Sequence, residues 1–249
     1  MLQQCCHTII DIIMKILAVD TATESCSVAV ADTAASPGLN TGTLAELTNV
    51  TRQTHSKHLM EMIHTALRMS GLTVSDLDGF TVATGPGSFT GLRIGISAVK
   101  GLALASGKPV VGISNLDALA YPFAFLPYLV CVLQDARRKE VYCGCYKTED
   151  GVLKKEGEDK VCSPDMAISQ IDGPCLFVGN GAALYQNFIS DKLGEKACFA
   201  PYSYHTIRAS ALVSLSLEKF EAGNTDDMAA FVPHYIRKSD AELNFKRPS

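Results

Sequence analysis

The sequence predicts an α/β protein whose two halves share one order of elements, βββαβα. Three observations predict this class. Short apolar and β-branched runs of strand length alternate with helix-length apolar segments. The same order of these elements occurs in both halves of the chain. The length of 249 residues, 47% of them hydrophobic, provides core material for two modest domains or one large one.

The first half contains a predicted antiparallel meander, followed by a helix, a strand and a second helix. A hydroxyl-rich turn at residues 21–25 separates the first two strands. A Ser70-Gly71 pair ends the first helix, because glycine readily adopts the left-handed conformation found after helices. The predicted strands cover residues 16–20, 27–31, 43–48 and a run from Phe80, and the predicted helices cover residues 56–69 and 92–105.

The second half repeats this order and ends in additional elements. The predicted strands cover residues 129–133, 140–146, 152–156 and 175–178, and the predicted helices cover residues 164–171 and 182–193. A final helix at 210–222 and an extended tail at 231–237 follow. Two copies of one supersecondary order support a duplicated fold more strongly than either copy alone.

A glycine-rich loop joins the Phe80 strand to the next helix. It has three glycines and one proline in the seven residues from 85 to 91. Backbone N–H groups at a helix start are unpaired, so the loop could face an anion or a partner's carboxylate. A plain strand-to-helix turn is the alternative, since the lysine of a P-loop is missing. The candidate anion or nucleotide contacts are Asp20, Gly85, Gly87, Ser88 and Thr90.

The two predicted helices of the first half form a candidate docking surface. The helix at 92–105 is apolar or small except for a narrow polar stripe of Arg93, Ser97 and Lys100. Its glycines would let another backbone approach closely, either from the chain's own sheet or from a second protein. The helix at 56–69 adds methionines, which occur in cores and at adaptable binding surfaces. The candidate interface residues are Leu59, Met60, Met62, Ile63, Gly91, Arg93, Gly95, Ala98 and Leu102.

Composition excludes several classes of function. A formal net charge of −4 with few basic runs argues against a dedicated nucleic-acid surface, so an RNA role would depend on a partner. No apolar run is long enough to span a bilayer and the first residues lack a positive n-region, so we expect a cytoplasmic protein without a membrane partner. The nine cysteines include no C-x-x-C pair and are interpreted as reduced core residues. Cys143 and Cys145 share one face of a predicted strand, which allows packing or oxidation.

Other polar residues have less specific interpretations. Asp20 ends a strand in a hydroxyl-rich turn, but Ala22 stands where a glycine would let backbone approach a phosphate. His55 and His58 lack a third ligand, so no metal site is predicted. Two interpretations of Arg137 and Arg138 remain open. Either both belong to a solvated hairpin, or one of them contacts a carboxylate or phosphate across an interface.

Four segments closely resemble the TsaB (YeaZ) family. They are residues 14–23 (MKILAVDTAT), 84–95 (TGPGSFTGLRIG), 135–138 (DARR) and 233–237 (PHYIR). The resemblance covers nearly all of residues 14–237. It implies the sugar-kinase/actin/heat-shock-ATPase superfold, which is RNase H-like and duplicated. It also implies residues 1–13 as an extension, with Met14 a candidate start, a first domain at 14–115 and a reduced second domain at 116–249.

The resemblance also implies a function and a set of partners. The family supports synthesis of threonylcarbamoyladenosine beside the anticodon of tRNAs that read codons beginning with A. Its members act as scaffold subunits for TsaD, which carries the metal and the transfer chemistry, and they work alongside the ATPase TsaE. We therefore expect no catalytic residues and no required cofactor in this chain, with ATP or ADP at the complex interface. A direct heterodimer with TsaD, a homodimer when alone and tRNA contact only through the complex are further expectations.

Two alternatives remain open from the sequence. A nucleotide-dependent enzyme of the sugar-kinase superfold would use Asp20 and the glycine loops. A glycoprotease-like peptidase is the weaker alternative, because no serine, cysteine or metal constellation with a positioned base is visible in the sequence.

Overall fold

The structure is a computed structural model that describes residues 13–35, 42–50, 55–149 and 152–237. The predicted extension at residues 1–13 and the alternative start at Met1 lie outside the described residues, apart from Ile13. Among the described helices, none is both long and apolar enough to cross a membrane.

Seven helices and eleven strands occur among the described residues, together with short 3₁₀ turns. The strands of the first half are β1 (Lys15–Asp20), β2 (Ser25–Asp32), β3 (Thr43–Val50), β4 (Gly79–Gly85) and β5 (Val110–Ser114), and its helices are α1 (Leu59–Ser70), α2 (Phe89–Ser106) and α3 (Asn115–Ala120). The strands of the second half are β6 (Leu129–Asp135), β7 (Val141–Glu149), β8 (Val152–Lys155), β9 (Lys160–Cys162), β10 (Cys175–Val178) and β11 (Ala197–Phe199). Its helices are α4 (Pro164–Ile168), α5 (Asn180–Leu184), α6 (Gln186–Leu193) and α7 (Ala209–Glu221).

The two sheets have matching topologies, which confirms the predicted duplicated α/β fold. The first sheet has the order β3-β2-β1-β4-β5 and the second has β8-β7-β6-β10-β11, with β9 on β7. In each sheet, the first three strands are antiparallel and the later strands join in parallel, apart from β9, which is antiparallel to β7. Parallel neighbours need a crossover, and α1 and α2 provide these in the first half.

The first sheet is covered on both faces, because successive side chains of β1 point to opposite sides. Ile16 and Ala18 pack into a core that includes α3 and α7. Leu17 and Val19 pack into a second core beneath α1 and α2. The core around α3 and α7 also contains buried residues of β6 and β7, so apolar packing is continuous between the two halves.

Glycines bring α2 into direct contact with the turn that follows β1. A Cβ at Gly91 would overlap the carbonyl oxygen of Thr21, and a Cβ at Gly95 would overlap the Thr21 hydroxyl. The Thr21 hydroxyl donates a hydrogen bond to the Gly91 carbonyl oxygen at 2.7 Å. A Cβ at Gly101 would meet nothing within 4 Å. The first two glycines of α2 are therefore required by the chain's own packing, whereas Gly101 faces open space.

Several element boundaries differ from the sequence prediction. The helix predicted at 182–193 is two helices, α5 and α6, because the backbone at Tyr185 leaves helical geometry. The helix predicted at 164–171 ends at Ile168. The helix predicted from residue 56 begins at Leu59, after a 3₁₀ turn at His55–Lys57. Gly71 ends α1 with φ 67°, as predicted.

The sequence analysis did not predict four short elements. They are β5, α3, β9 and β11, none longer than six residues. Such segments are too short to show a helical or strand periodicity. Their conformation depends instead on neighbours, since β5 and β11 each extend a sheet whose interior strands are clear in the sequence.

A matched pair of substitutions in α2 would test its packing on the turn after β1. We expect Gly91→Ala to lower the free energy of unfolding by roughly 1–3 kcal/mol, because the added methyl group overlaps backbone that cannot move aside easily. Gly101→Ala should instead raise it by about 0.5–1 kcal/mol through helix propensity. Urea unfolding followed by circular dichroism measures both changes. Equal effects of the two substitutions would contradict this account of α2.

Candidate functional site

The solvent-facing side of α1 and α2, called here the α1/α2 face, exposes apolar side chains. On α2, the exposed or half-exposed residues Ile94, Ala98, Gly101 and Leu104 recur at helical spacing and lie on one side. Leu104 is 69% exposed, and Met60 on α1 is 53% exposed. The inner side of the same helices packs on the first sheet. A rigid, well-supported surface of small and apolar groups therefore faces solvent.

The nine residues predicted for the interface fall into two groups. Leu59, Ile63, Gly91 and Gly95 are buried in the chain's own core. Met60, Met62, Arg93, Ala98 and Leu102 are exposed or partly exposed. The predicted interface list omits Ile94, Gly101 and Leu104, which the helical phase of α2 places on its outer side. Helical spacing alone could have indicated these three, once the buried side of α2 was known.

The C-terminal segment runs along the polar stripe of α2 and past the glycine loop. Arg93 donates from Nε to the Tyr235 hydroxyl at 3.1 Å, and Lys100 Nζ donates to the Phe231 carbonyl oxygen. Tyr235 stacks on Phe89 with ring centroids 4.3 Å apart. The polar stripe predicted on α2 therefore holds the chain's own tail beside the α1/α2 face.

The glycine loop uses several of its hydrogen-bond donors internally. Gly85 N–H donates to the Asn115 side-chain oxygen at 2.6 Å, Ser88 N–H to the Ala22 carbonyl, and Gly91 N–H to the Ser88 hydroxyl. A side chain at Gly87 would overlap Ala22, so the loop packs directly on the turn after β1. These N–H groups are therefore not directed at an external anion.

A cleft of about 270 Å³ lies between the glycine loop and the second half. Gly87 and Ser88 line it, together with Gln134, Asn180 and Arg237. Gln134 spans the cleft by donating from Nε2 to the Pro86 carbonyl at 3.1 Å. Of the predicted anion or nucleotide contacts, the cleft is lined by Gly87 and Ser88 but not by Asp20, Gly85 or Thr90.

The arginines at the cleft are paired with carboxylates of the same chain. Arg137 lies 3.1 Å from Glu24 and 3.3 Å from Asp135. Arg237 lies 3.1 Å from Glu140. These pairs join the hairpin after β6 to the turn after β1 and to the C-terminal segment. An anion entering the cleft would have to compete with these carboxylates for the paired guanidinium nitrogens, although Arg237 Nε is buried without a hydrogen-bond partner within the described chain.

The hairpin between β6 and β7 has an unusual backbone. Residues 137–139 all have positive φ, between 55° and 61°. Such conformations cost an L-residue roughly 1–2 kcal/mol each, so surrounding contacts must hold them. The Asp135 side chain accepts a hydrogen bond from Arg137 N–H, and Asn180 accepts one from Asp135 N–H. The side-chain contacts thus fix the hairpin against the cleft.

Asp20 is fully buried behind the cleft. Its Oδ1 accepts hydrogen bonds from Ala22 N–H at 3.0 Å and from the Asn115 amide at 3.4 Å. Its Oδ2 has no hydrogen-bond partner within the described chain. Burial raises the pKa of Asp20 to about 7, against the smaller opposing effect of the hydrogen bonds. Through Oδ1, the carboxyl group connects the turn after β1 to Asn115.

Asn115 is a positioning residue that the sequence analysis missed. Its oxygen accepts from Gly85 N–H while its amide nitrogen donates to Asp20. It therefore connects the end of β1 to the start of the glycine loop. Asn115 begins α3 and is fully buried. A polar amide in an otherwise apolar segment could have indicated a buried, hydrogen-bonded side chain. Its two partners, however, are visible only in the fold.

The histidines singled out in the sequence do not form a cluster with other ligands. His55 is buried and its Nε2 lies 2.7 Å from the Thr23 carbonyl oxygen. Across the described residues, no group of three or more histidine, cysteine, aspartate or glutamate side chains is arranged to hold a metal ion. His55 thus supports the turn after β1 from the side of α1.

Asp20 should make the stability of the chain depend on pH. Between pH of about 4 and 7 the folded chain keeps a proton on Asp20 that the unfolded chain has released, so the free energy of unfolding falls as pH rises. The difference between a pKa of about 7 and the usual 3.8 corresponds to roughly 4 kcal/mol. The Asp20→Asn variant has no titratable carboxyl group at this position, so its free energy of unfolding lacks this dependence on pH. Urea unfolding of both proteins from pH about 4 to 8 should therefore show the wild type losing stability relative to the variant. Parallel pH profiles would contradict a buried, proton-binding Asp20.

Comparisons with known proteins agree with the observed topology. A family model described as TsaD, tRNA N6-adenosine threonylcarbamoyltransferase, matches residues 44–245. Two solved structures from Pseudomonas aeruginosa are similar over most of the chain. One is an uncharacterized protein with similarity to peptidase YEAZ, with TM-score 0.74, 29% identity and coverage of 90% of this chain and 100% of that one. The other is YeaZ, with TM-score 0.72, 28% identity and coverage of 89% and 99%.

Curated relatives cover nearly the whole chain. The relative from Bacillus subtilis (strain 168) is 33% identical over 93% of this chain and 98% of its own length. The relative from Haemophilus influenzae is 36% identical over 94% and 97%, and that from Escherichia coli K12 is 30% identical over 92% and 96%. All three are named tRNA threonylcarbamoyladenosine biosynthesis protein TsaB. With this identity and coverage, and with the duplicated fold, the chain belongs to the TsaB family.

Proposed function

We propose that this chain is a non-catalytic scaffold subunit in tRNA threonylcarbamoyladenosine biosynthesis. It supports TsaD in transferring the threonylcarbamoyl group to the adenosine beside the anticodon of tRNAs that read codons beginning with A. The names of the curated relatives and the match to a TsaD family model support this role. The single structural observation that carries the scaffold assignment is the exposed α1/α2 face.

The chemistry of the α1/α2 face suits a protein partner. Gly101 and Ala98 leave room for another backbone, and a Cβ atom at Gly101 would meet no other element of the chain within 4 Å. Leu104 on α2 and Met60 on α1 add exposed apolar side chains. Exposed apolar surface marks interaction sites, because covering it removes apolar groups from water. The inner side of both helices is anchored in the core, so docking needs little ordering of the surface.

The cleft offers little support for an enzyme acting alone. The glycine loop donates to Asn115, Ala22 and Ser88 rather than outward, and the volume of about 270 Å³ is at the low end for a ligand pocket. Asp20 is buried behind the loop. The nucleotide-dependent and peptidase alternatives are therefore not favoured.

The complete proposal includes the partners expected for a scaffold. The chain forms a direct heterodimer with TsaD, acts alongside TsaE and contacts tRNA only through the complex. Alone, the chain forms a homodimer through the same α1/α2 face, since the apolar side chains of that face would otherwise be exposed to water. It requires no cofactor of its own, and ATP or ADP binds at the complex interface. The site of action is the cytoplasm.

Charge placed on the α1/α2 face should break the complex. We expect Ala98→Glu to weaken binding to TsaD by ~30-fold or more, because an unpaired carboxylate buried at an interface costs on the order of 2 kcal/mol or more. Reconstituted tRNA modification with purified components should fall in parallel. Calorimetric titration measures the affinity, and circular dichroism confirms that the variant is folded.

Leu184→Glu is the matched control for this experiment. Leu184 is an exposed apolar residue on α5 of the second half, away from the α1/α2 face. It should bind TsaD as the wild type does. The assignment of the interface fails if Ala98→Glu also binds normally, or if the two substitutions weaken binding equally.

Turnover of ATP by the isolated chain would separate a scaffold from an enzyme. We expect the purified chain to hydrolyse ATP no faster than a buffer blank, because the glycine loop is occupied by its own chain. Phosphate release is the measurement. Turnover that is abolished in Asp20→Asn would favour the nucleotide-dependent alternative over the scaffold.

A further inference from the structure

The second half carries a cluster of thiols on one side of its sheet. Cysteines of β6, β7, β9 and β10 lie in or against one apolar core. They are Cys131, Cys143, Cys145, Cys162 and Cys175. All five are free thiols. Within this cluster, Cys143 and Cys162 have their Sγ atoms 3.6 Å apart.

The strand register explains why these two thiols meet. β7 and β9 are antiparallel, with Cys143 opposite Lys160 and Val141 opposite Cys162. The two cysteines are therefore diagonal neighbours on one face of the pair, close enough for their side chains to touch. Formation of a disulfide requires the sulfur atoms to close from 3.6 Å to about 2.05 Å, and because diagonal neighbours are about 7–8 Å apart, the short strand β9 shifts toward β7 as the bond forms.

This thiol pair can be reached from solvent. Cys143, Cys145 and Cys162 line an open pocket of about 570 Å³. Lys147, Lys155 and Lys160 line the same pocket, alongside Glu156 and Glu158. Lys147 pairs with Glu156, and Lys155 pairs with Asp117 and Asp159, so Lys160, which lies opposite Cys143, is the lysine that provides positive charge for an anionic reagent. Cys131 and Cys175, by contrast, are almost fully buried and do not line the pocket.

We propose that Cys143 and Cys162 form a redox-sensitive thiol pair, which small anionic disulfides such as oxidised glutathione convert into a disulfide that fastens β9 to β7. This modification site is separate from the α1/α2 face and does not depend on the proposed scaffold function. The reagent fits the pocket chemistry because glutathione carries carboxylates that Lys160 can attract.

The reaction proceeds in two exchange steps. Cys162 is the less buried thiol of the pair, so its thiolate attacks one sulfur of the glutathione disulfide. The glutathione S–S bond breaks, a mixed disulfide forms on Cys162, and the departing thiolate takes up a proton equivalent to the one that Cys162 released. Cys143 then attacks the Cys162 sulfur. The second glutathione leaves with the Cys143 proton, so two protein thiols are oxidised and one glutathione disulfide is reduced to two thiols.

The environment assigns different roles to the neighbouring cysteines. Burial, followed by the adjacent Cys162, raises the pKa of Cys143 to about 12, which suits a resolving thiol better than an attacking one. Hydrogen bonding from Cys131 and the nearby Lys160 lower the pKa of Cys145. Cys145 faces the same pocket, but the thiol opposite it across the strands is the fully buried Cys131. Cys145 therefore competes with Cys162 for the reagent, and its replacement is the control for the Cys143–Cys162 disulfide.

Peptide mapping of the oxidised full chain tests the pairing directly. The protein is incubated with oxidised glutathione, its remaining thiols are blocked with N-ethylmaleimide, and it is digested with trypsin without reduction. Cleavage at lysine places Cys143 and Cys145 in residues 140–147, and Cys162 and Cys175 in residues 161–192. We expect these two peptides to be joined, with fragmentation locating the bond at Cys143 and Cys162. Dithiothreitol should separate them and restore both thiols.

Serine variants provide the matched comparison. Cys162→Ser should lose the joined peptides, whereas Cys145→Ser, on the same strand and in the same pocket, should keep them. The wild-type fragmentation assigns the bond even if a variant fails to fold. The proposal is overturned if the wild type yields only glutathione adducts, if the bond maps to Cys145, or if cysteines of two different chains are joined.

Discussion

The close approach of α2 to the end of β1 is the constraint on which the rest of the structure depends. Gly91 and Gly95 remove the side chains that would collide with Thr21, and the Thr21 hydroxyl bonds to the Gly91 carbonyl. This contact sets the height of α2 above the sheet. It thereby fixes which side of the helix is buried and which side faces solvent. The glycines that looked available for docking thus serve the chain's own fold.

The same contact brings the glycine loop against the turn after β1, and the remaining polar groups follow from that placement. Ser88 N–H meets the Ala22 carbonyl, and Asn115 joins Gly85 to the buried Asp20. In a nucleotide-binding loop such donors would face phosphate oxygens. Here oxygen atoms of the chain accept these hydrogen bonds.

The tail and the hairpin then hold the two halves in one arrangement. Tyr235 stacks on Phe89, and Arg237 and Arg137 pair with Glu140 and Glu24. Exposed ion pairs contribute little stability individually, but they orient segments that apolar packing has already brought together. A scaffold benefits from such rigidity, because a partner that binds a preformed surface does not have to order it. The thiol cluster lies apart from these contacts, in a core of the second half.

The sequence by itself determined the α/β class, the duplicated order and the identity of the longer elements. These properties are local, since hydrophobic periodicity and glycine at helix ends depend only on residues close together in the sequence. It also indicated the two helices and the loop that carry the candidate site. The sequence could not show that Gly91 and Gly95 are buried while Gly101 is exposed, because all three are glycines of the same helix. Only the tertiary structure decided that, together with the pairing of Asn115 with Asp20 and of Cys143 with Cys162. Each of those outcomes depends on contacts between residues far apart in the chain, whose distances are set by how the sheets pack.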